Sequence, residues 1–280
     1  MDSVAAVVDA DAILAWYAER RRDLPWRRTR DPYRILVSEV MLQQTQVARV
    51  VPYYEAWLAR FPDERALADA APADVLRMWS GLGYNRRALA LQAATRAVVR
   101  DGWPADAEGL RALPGIGPYT AAAVASFAFG EAVAAVDTNV RRVIARWDAV
   151  ERSPRELAAR ADALLPAGRA ADWNQAMMEL GAMVCGARTP ACDICPADAC
   201  RSRGRAVAVG ASAGPAAGRS ARRAQRFEDT DRYLRGRVVA ALAAGEAVPA
   251  GFAPERLERA LAGLARDGLI VREGASVRLP

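Results

Sequence analysis

Apolar positions recur every three or four residues along most of the chain, and this period predicts a helical protein. Prolines and the Gly81-Leu82-Gly83 turn interrupt the pattern and divide it into separate helices. The predicted helices cover residues 3–21, 33–48, 51–60, 64–69, 73–80, 85–100, 138–147, 154–164 and 172–184. Alternation with a period of two, the signature of strands, is absent until the last residues of the chain. We therefore expect an all-α protein, with Pro52, Pro62 and Pro72 as helix breaks.

The C-terminal part of the chain differs in composition from the rest. From Arg201 to Arg226 it holds seven arginines among Ala, Gly and Ser, with no acidic residue, which predicts a basic flexible linker over residues 206–227. Residues 228–280 look folded again. The two helical patterns and the turn of a hairpin lie at Thr230–Ala244, Pro254–Arg266 and Gly274. Two helices followed by a hairpin resemble a winged-helix unit, so a small α+β appendage is expected.

The segment Leu113–Asn139 is the most informative stretch of the chain. Gly115 and Gly117 can adopt backbone angles that a Cβ forbids, and their amides can face outward. Pro118 suits the first position of a helix, which is apolar over Tyr119–Phe129 and is expected to end at Gly130. Exposed amides before a helix N-terminus can bind phosphate, although the same turn precedes many helices that bind none.

Two acidic residues stand in apolar surroundings. Asp137 follows the run Val133–Val136 and can cap the next helix, serve as a catalytic anion, or do both. Glu39 lies between apolar residues in ILVSEVML and is either a solvated helix residue or a half-buried acid. Desolvation would raise the pKa of Glu39 and keep a proton available. A proton donor and an anion are the pair that cleaves a glycosidic bond.

Composition excludes several chemistries. The net charge is +6, and all 39 basic residues are arginine, either because phosphate is the partner or because of coding bias. The chain has no histidine, which excludes a Ser-His-Asp triad and a histidine-ligated zinc. It has no lysine, so no side-chain amine can form a Schiff base. Acid–base work is therefore left to carboxylates, tyrosine or cysteine.

All four cysteines lie close together, at Cys185, Cys192, Cys195 and Cys200, which indicates a metal site rather than a disulfide framework. Their spacing alone fits a four-cysteine zinc site or an iron–sulfur cluster.

The N-terminal residues carry acids where a signal peptide would be basic, and no apolar run is long enough for a membrane span. The protein is therefore expected to be soluble and intracellular, in the cytoplasm.

Several motifs together resemble one enzyme family. LPGIGPYTAAA is similar to the hairpin of helix-hairpin-helix DNA glycosylases, and VDTNV is similar to their catalytic aspartate segment. SEVMLQQTQV, GLGY, NQAMMELGAMVC and the cysteine cluster resemble the MutY-type adenine-DNA glycosylases. The resemblance spans about residues 12–200. It implies a six-helix barrel domain over residues 25–133 and an iron–sulfur cluster domain over residues 1–24 and 134–205.

The resemblance also implies roles for individual residues. Glu39 would protonate adenine and activate water, Asp137 would stabilise the sugar cation, and Tyr119 would line the pocket. The remaining residues implied to contact substrate or DNA are Gln43, Gln44, Tyr84, Gly115, Gly117, Arg22, Trp26, Asn139 and Glu179. Tyr119 stands where endonuclease III-type enzymes have a catalytic lysine, so a monofunctional glycosylase is expected. The four cysteines would hold a [4Fe–4S] cluster.

The implied partner is double-stranded DNA with a mismatch or lesion, bound by a monomer. The implied reaction removes adenine opposite 8-oxoguanine or guanine. The family usually carries a Nudix-like domain that reads 8-oxoguanine, whereas residues 228–280 do not resemble one. Two alternatives stay open: a mismatch thymine/uracil-DNA glycosylase of the same fold, and a non-catalytic DNA-binding iron–sulfur protein.

Overall fold

The structure, a computed structural model, describes residues 9–204, 226–274 and 276–280. Its α-helices are α1 Ala10–Arg20, α2 Pro32–Leu42, α3 Val47–Arg60, α4 Glu64–Ala68, α5 Pro72–Trp79, α6 Arg86–Asp101, α7 Ala107–Arg111, α8 Pro118–Val124, α9 Thr138–Asp148, α10 Pro154–Asp162, α11 Ala170–Glu179, α12 Asp231–Ala243 and α13 Pro254–Arg266. The strands β1 Val271–Glu273 and β2 Ser276–Arg278 form the one sheet of the described residues. The prediction of a helical fold with a small C-terminal α+β appendage is confirmed.

Helix boundaries follow the capping residues of the sequence. Asp63 and Asp137 cap α4 and α9 with their side chains, and Ser153 forms a capping box with Glu156 at the start of α10. The apolar stretch after Pro118 continues from α8 as a π-helical turn, and Gly130 ends it with a φ of 76°. The predicted stop at Gly130 is therefore confirmed.

The expected helix break at Pro52 is wrong. Pro52 lies in the second turn of α3, where it cannot donate the hydrogen bond to the carbonyl of Ala48. The helix continues because Val50, Tyr54 and Trp57 are buried on its apolar face, and their packing outweighs one lost hydrogen bond.

The short helix α7 was not predicted. Part of the first predicted helix, residues 3–8, and most of the predicted linker, residues 206–225, lie outside the described residues.

The chain forms two compact units. The first consists of Met1–Pro32, Ala105–Arg111 and Gly117–Ala217. In it α1 and α9 pack on α11, and the buried core includes Ile13, Ile144, Trp147, Trp173 and Met177. This core positions the N-terminus of α9 and the cysteine segment.

The second unit consists of Tyr33–Pro104, Ala112–Ile116 and Gly218–Pro280. In it α4 and α5 pack on α6, α3 packs on α5, and α12 packs on both α13 and α5. Edge-to-face rings fill the centre, with Trp57 contacting Phe61 at 5.0 Å and Trp79 at 5.5 Å between ring centroids.

The C-terminal hairpin pairs β1 with β2 in antiparallel register, with Glu273 opposite Ser276. Gly274 has a φ of 58°, so the turn lies where the sequence predicted it. No helix within the described ranges is both long and apolar enough to cross a membrane.

Candidate functional site

The carboxylate of Asp137 closes the N-terminus of α9. Its Oδ1 accepts a hydrogen bond from the backbone N–H of Val140 at 2.7 Å, and its Oδ2 accepts one from Asn139 Nδ2 at 2.8 Å. The capping role is thereby confirmed. Burial raises the pKa of Asp137, while these hydrogen bonds and the charge of Arg142 oppose the rise. The site thus holds a carboxylate that is desolvated yet directly supported by donors.

Tyr119 lies in the first turn of α8 and is half-buried. Its hydroxyl lies 3.5 Å from the sulfur of Met178. The ring packs against a small cluster that includes Ala122 and Ala135. Ala135 lies two residues before Asp137, so the ring of Tyr119 packs against the backbone segment that positions the Asp137 carboxylate.

Arg142 connects Asn139 with the cysteine loop, which we define as residues 185–200. Its Nη2 donates to Asn139 Oδ1 at 2.8 Å and to the carbonyl of Gly181 at 2.7 Å. Its Nε donates to the carbonyl of Cys185 at 2.8 Å. Gly181 has no room for a side chain, since a Cβ there would lie 2.5 Å from the Cβ of Asn139. One network therefore runs from the Asp137 carboxylate to the start of the cysteine loop.

Arg146 lies one turn after Arg142 in α9 and also binds the cysteine loop. It is only 5 % exposed, and it donates to the carbonyls of Gly186 at 2.7 Å and Ala187 at 2.9 Å. Its Nη1 also lies 3.2 Å from the sulfur of Cys185. A buried guanidinium that donates to the carbonyls of Cys185, Gly186 and Ala187 fixes the loop against α9.

Arg146→Ala is expected to lower the free energy of unfolding by roughly 2–4 kcal/mol, because buried carbonyls lose charged donors. Denaturant unfolding followed by circular dichroism measures the loss. Arg141→Ala is the matched control, since Arg141 lies on the same helix and contacts Glu151 at its exposed face at 3.4 Å. Equal stability of the two variants would contradict the role of Arg146.

The four cysteines of the loop lie near the core of the first unit. Cys185 is buried, and Cys195 and Cys200 pack against the same core cluster. Burial raises the pKa of the Cys195 and Cys200 thiols, and the charges of the neighbouring cysteines raise the pKa of both further. Nowhere in the described part of the chain do three potential ligands converge as a single metal ion requires. Thiolates are ligands both of structural zinc and of iron–sulfur clusters, so these four side chains are the ones that could hold either group.

Gly115 and Gly117 differ in their structural requirements. Gly115 has a φ of 73°, and a Cβ there would lie 2.6 Å from the Cβ of Ala90 in α6. Gly117 has a φ of −86°, and no atom lies within 4 Å of its hypothetical Cβ. The left-handed conformation that the sequence suggested for both glycines is therefore required only at Gly115.

Gly115→Ala is expected to destabilise the protein by about 1–3 kcal/mol, because the methyl group is strained by the positive φ and overlaps Ala90. Gly117→Ala is expected to leave the melting temperature within about 1 °C of the parent, because its Cβ meets open space and costs little free energy. Thermal unfolding of both variants by circular dichroism checks this difference. Equal melting temperatures would contradict the steric argument.

Glu179 is fully buried and carries two arginines. Its carboxylate accepts from Arg22 Nε at 2.9 and 3.0 Å, and Arg27 Nη1 lies 2.5 Å away. Trp26 is buried in the single 3₁₀ turn Pro25–Arg27. The structure thus joins Arg22 and Arg27 to Glu179 through ion pairs, which the sequence did not predict. Breaking the ion pairs of a buried carboxylate with two guanidinium groups is energetically costly. The three side chains are therefore held rigidly.

Glu39 lies in the middle of α2 in the second unit and is 6 % exposed. The residues around it, from Ile35 to Met41, are buried as well. Burial excludes the alternative of a solvated helix residue for Glu39. The role of Glu39 as a proton donor stays a prediction.

Gln43, Gln44 and Tyr84 lie on two adjacent loops of the second unit. The hydroxyl of Tyr84 donates to Gln44 Oε1, and the ring remains 40 % exposed. Gln44 and Tyr84 both have positive φ values, 57° and 48°. Such conformations in residues other than glycine are strained and cluster at functional sites.

Arg87 holds these two loops together. Its Nη1 donates to the carbonyls of Val40 at 2.8 Å and Gln43 at 2.6 Å, at the end of α2. Its Nη2 donates to the carbonyls of Leu82 at 3.3 Å and Gly83 at 3.1 Å, in the turn before Tyr84. One guanidinium therefore sets the spacing of the two loops.

Arg27, Arg87 and Arg146 were not identified from the sequence. Among 39 arginines without a lysine, nothing in the local pattern separates a buried arginine from a surface one. Their roles are defined only by the carbonyls and carboxylates that they bind, and each of the three arginines binds at least one partner from a distant part of the chain.

Comparison with known proteins identifies the family. Residues 37–167 match the HhH-GPD superfamily of base excision DNA repair proteins. An adenine DNA glycosylase of Mycolicibacterium smegmatis is 45% identical over 276 residues, which cover 92% of this chain and 91% of that protein. The chain belongs to the adenine DNA glycosylase family. A human adenine DNA glycosylase is 44% identical over 69% of this chain and 39% of the human protein.

Solved structures agree with this family of DNA glycosylases. A thermostable thymine-DNA glycosylase superposes with a TM-score of 0.63 and 32% identity, covering 66% of this chain and 90% of that one. A trapped endonuclease III–DNA covalent intermediate superposes with a TM-score of 0.60 and 25% identity, covering 69% of this chain and 92% of that one. The helix-hairpin-helix glycosylase fold is therefore confirmed.

Proposed function

We propose that the protein hydrolyses the N-glycosidic bond of adenine in duplex DNA, as a step of base excision repair. The observation that carries this proposal is the 45% identity to an adenine DNA glycosylase over nearly the whole of both chains. The finer specificity that we propose is adenine mispaired with 8-oxoguanine or guanine.

The chemistry divides between two carboxyl groups. Glu39 protonates the adenine ring, which turns the base into a neutral leaving group, and then removes a proton from the attacking water. Asp137 remains ionised and stabilises the positive charge that develops on the deoxyribose as the bond breaks. The amide of Val140 and the side chain of Asn139 support the Asp137 anion.

Other residues bind the extruded base and its partner. Tyr119 lines the pocket that receives adenine, and the rigid group of Arg22, Trp26 and Glu179 borders it. Gln43, Gln44 and Tyr84 enter the base stack around the partner base while adenine is flipped out. The backbone of the turn at Gly115 and Gly117 binds phosphate beside the lesion.

We further propose that the four cysteines hold a [4Fe–4S] cluster. The cluster would cross-link the cysteine loop and leave base removal to the carboxylates. Broad visible absorption and about four irons per chain support the cluster, whereas a colourless protein with one zinc supports the alternative metal.

The cluster domain would comprise residues 1–24 and 134–205, and the barrel domain residues 25–133. The protein would act as a monomer at the nucleoid in the cytoplasm.

An activity assay on defined duplexes tests the function. Adenine, thymine or uracil is placed opposite guanine or 8-oxoguanine, and each product is analysed with and without alkali. Release of adenine with strand breaks only after alkali is expected, because no lysine is present to open the sugar through a Schiff base. Release of thymine or uracil alone would establish a mismatch thymine/uracil glycosylase. Binding without any release would establish a non-catalytic DNA-binding protein.

A further inference from the structure

Helix α12 and the loop that carries Tyr84 line a cleft of about 1050 Å³. Both belong to the second unit, and α12 packs on α5, the helix that leads into this loop. Six arginines line the cleft: Arg49, Arg86, Arg87, Arg232, Arg235 and Arg237. The cleft therefore concentrates positive charge beside an exposed aromatic ring.

The two acidic residues of the cleft are already occupied by arginines. Asp267 pairs with Arg235 and lies 3.6 Å from Arg86. Asp231 lies 3.7 Å from the Nε of Arg256, which is not part of the cleft lining. The acids thus do not cancel the remaining positive charge of the cleft.

Arg232 and Arg237 are the exposed cations of α12. Both side chains face the cleft, and neither forms an ion pair within the ranges that the structure describes. The Cζ of Arg232 lies 4.1 Å from the centroid of the Tyr84 ring, so the guanidinium covers one face of that ring.

We propose that α12 binds the phosphodiester backbone of duplex DNA next to the point where Tyr84 enters the base stack. This inference rests on the proposed function, which places Tyr84 in the duplex. A base can stack on the covered face of Tyr84 only after the guanidinium of Arg232 leaves it. The phosphates beside the entry point supply the anions that Arg232 then binds, together with Arg237.

The salt dependence of DNA binding tests the role of α12. The parent protein and Arg232→Ala/Arg237→Ala bind a fluorescent duplex whose target adenosine carries a 2′-fluorine, which slows glycosidic cleavage. Fluorescence anisotropy at several salt concentrations gives the slope of log K against log salt. Loss of two phosphate contacts is expected to reduce the slope by about 2 and the affinity at ~0.1 M salt by roughly 10- to 100-fold.

Arg259→Ala/Arg266→Ala is the matched control. Both residues are exposed on α13, and neither lines the cleft. This variant loses the same charge from the same C-terminal segment, and its slope is expected to change by less than about 0.5 because neither lost cation lines the cleft and solvent-exposed charges are screened. Equal slopes for the α12 and α13 variants would overturn the proposal. So would weaker binding by the α12 variant with an unchanged slope, which indicates displacement of Tyr84 and no phosphate contact.

Failure of this inference can be separated from failure of the proposed function. If the parent releases adenine while the α12 variant binds with the parent's slope, only the inference fails. If the parent releases no base, but the slope of log K against log salt is smaller by about 2 for the α12 variant than for the parent, the backbone contact stands and the enzyme assignment fails. A parent that does not bind duplex DNA overturns both.

Discussion

Glu39→Gln is expected to reduce the single-turnover rate of adenine release by about 10²–10⁴-fold, the contribution typical of a general acid. Glutamine has nearly the shape of glutamate but no proton to transfer to the adenine ring. Since Glu39 is only 6 % exposed, a substitution that preserves volume keeps the packing of α2. The rate is measured on a duplex with adenine opposite 8-oxoguanine, at enzyme concentrations that saturate binding.

The control for this variant is Glu55→Gln, which removes an exposed carboxylate from the neighbouring helix α3. This control is expected to act at the parental rate. Anisotropy of the uncleaved duplex shows whether the Glu39 variant still binds. A Glu39→Gln protein that binds DNA and releases adenine at the parental rate would remove Glu39 from the mechanism.

Asp137→Asn is expected to slow adenine release by about 10²–10³-fold, because the charge that stabilises the sugar cation is lost. The helix should survive, since asparagine caps helices as well as aspartate does. Asp137→Ala, which also removes the cap, is expected to lose roughly 1 kcal/mol of stability in addition. Comparing the two variants by single-turnover kinetics and thermal unfolding separates the chemical role from the structural one.

The stability of Asp137→Asn has a predictable sign. Burial raises the pKa of Asp137, so the folded state binds its proton more tightly than the unfolded state does. This carboxyl therefore stabilises the fold at low pH and loses that contribution as the pH rises through its raised pKa. At neutral pH, asparagine should give a melting temperature equal to or above the parental one, and the difference should shrink in acid. A lower melting temperature at neutral pH would show that the charge of Asp137 supports the fold.

The pattern of apolar residues and caps predicted the helices well where a strong local signal marks an end. Pro254–Arg266 has the predicted boundaries, and α9 begins just after Asp137 because that carboxylate accepts a hydrogen bond from the backbone N–H of Val140. Pro52 gave the opposite result, because a buried face can outweigh the local effect of a proline. The short helix α7 lacked a periodic pattern long enough to be recognised.

For the candidate site, acidic residues were easier to predict than basic ones. Glu39 stands out in the sequence because it is a charged residue among apolar neighbours. The structure shows that it is buried with them. Arg87 and Arg146 resemble every other arginine along the chain. Their partners are carbonyls, which every residue carries, so only the folded chain reveals which carbonyls they bind.

The attachment of Arg87 to the carbonyls of two loops has a consequence for selectivity. Because one rigid planar group joins the end of α2 to the turn before Tyr84, Gln44 and Tyr84 keep their separation in the absence of DNA. A base pair that demands a wider gap would have to stretch this clamp, and the strain would count against that pair. Selectivity among base pairs would then come in part from mechanical fit, without a hydrogen bond to the bases that fit poorly.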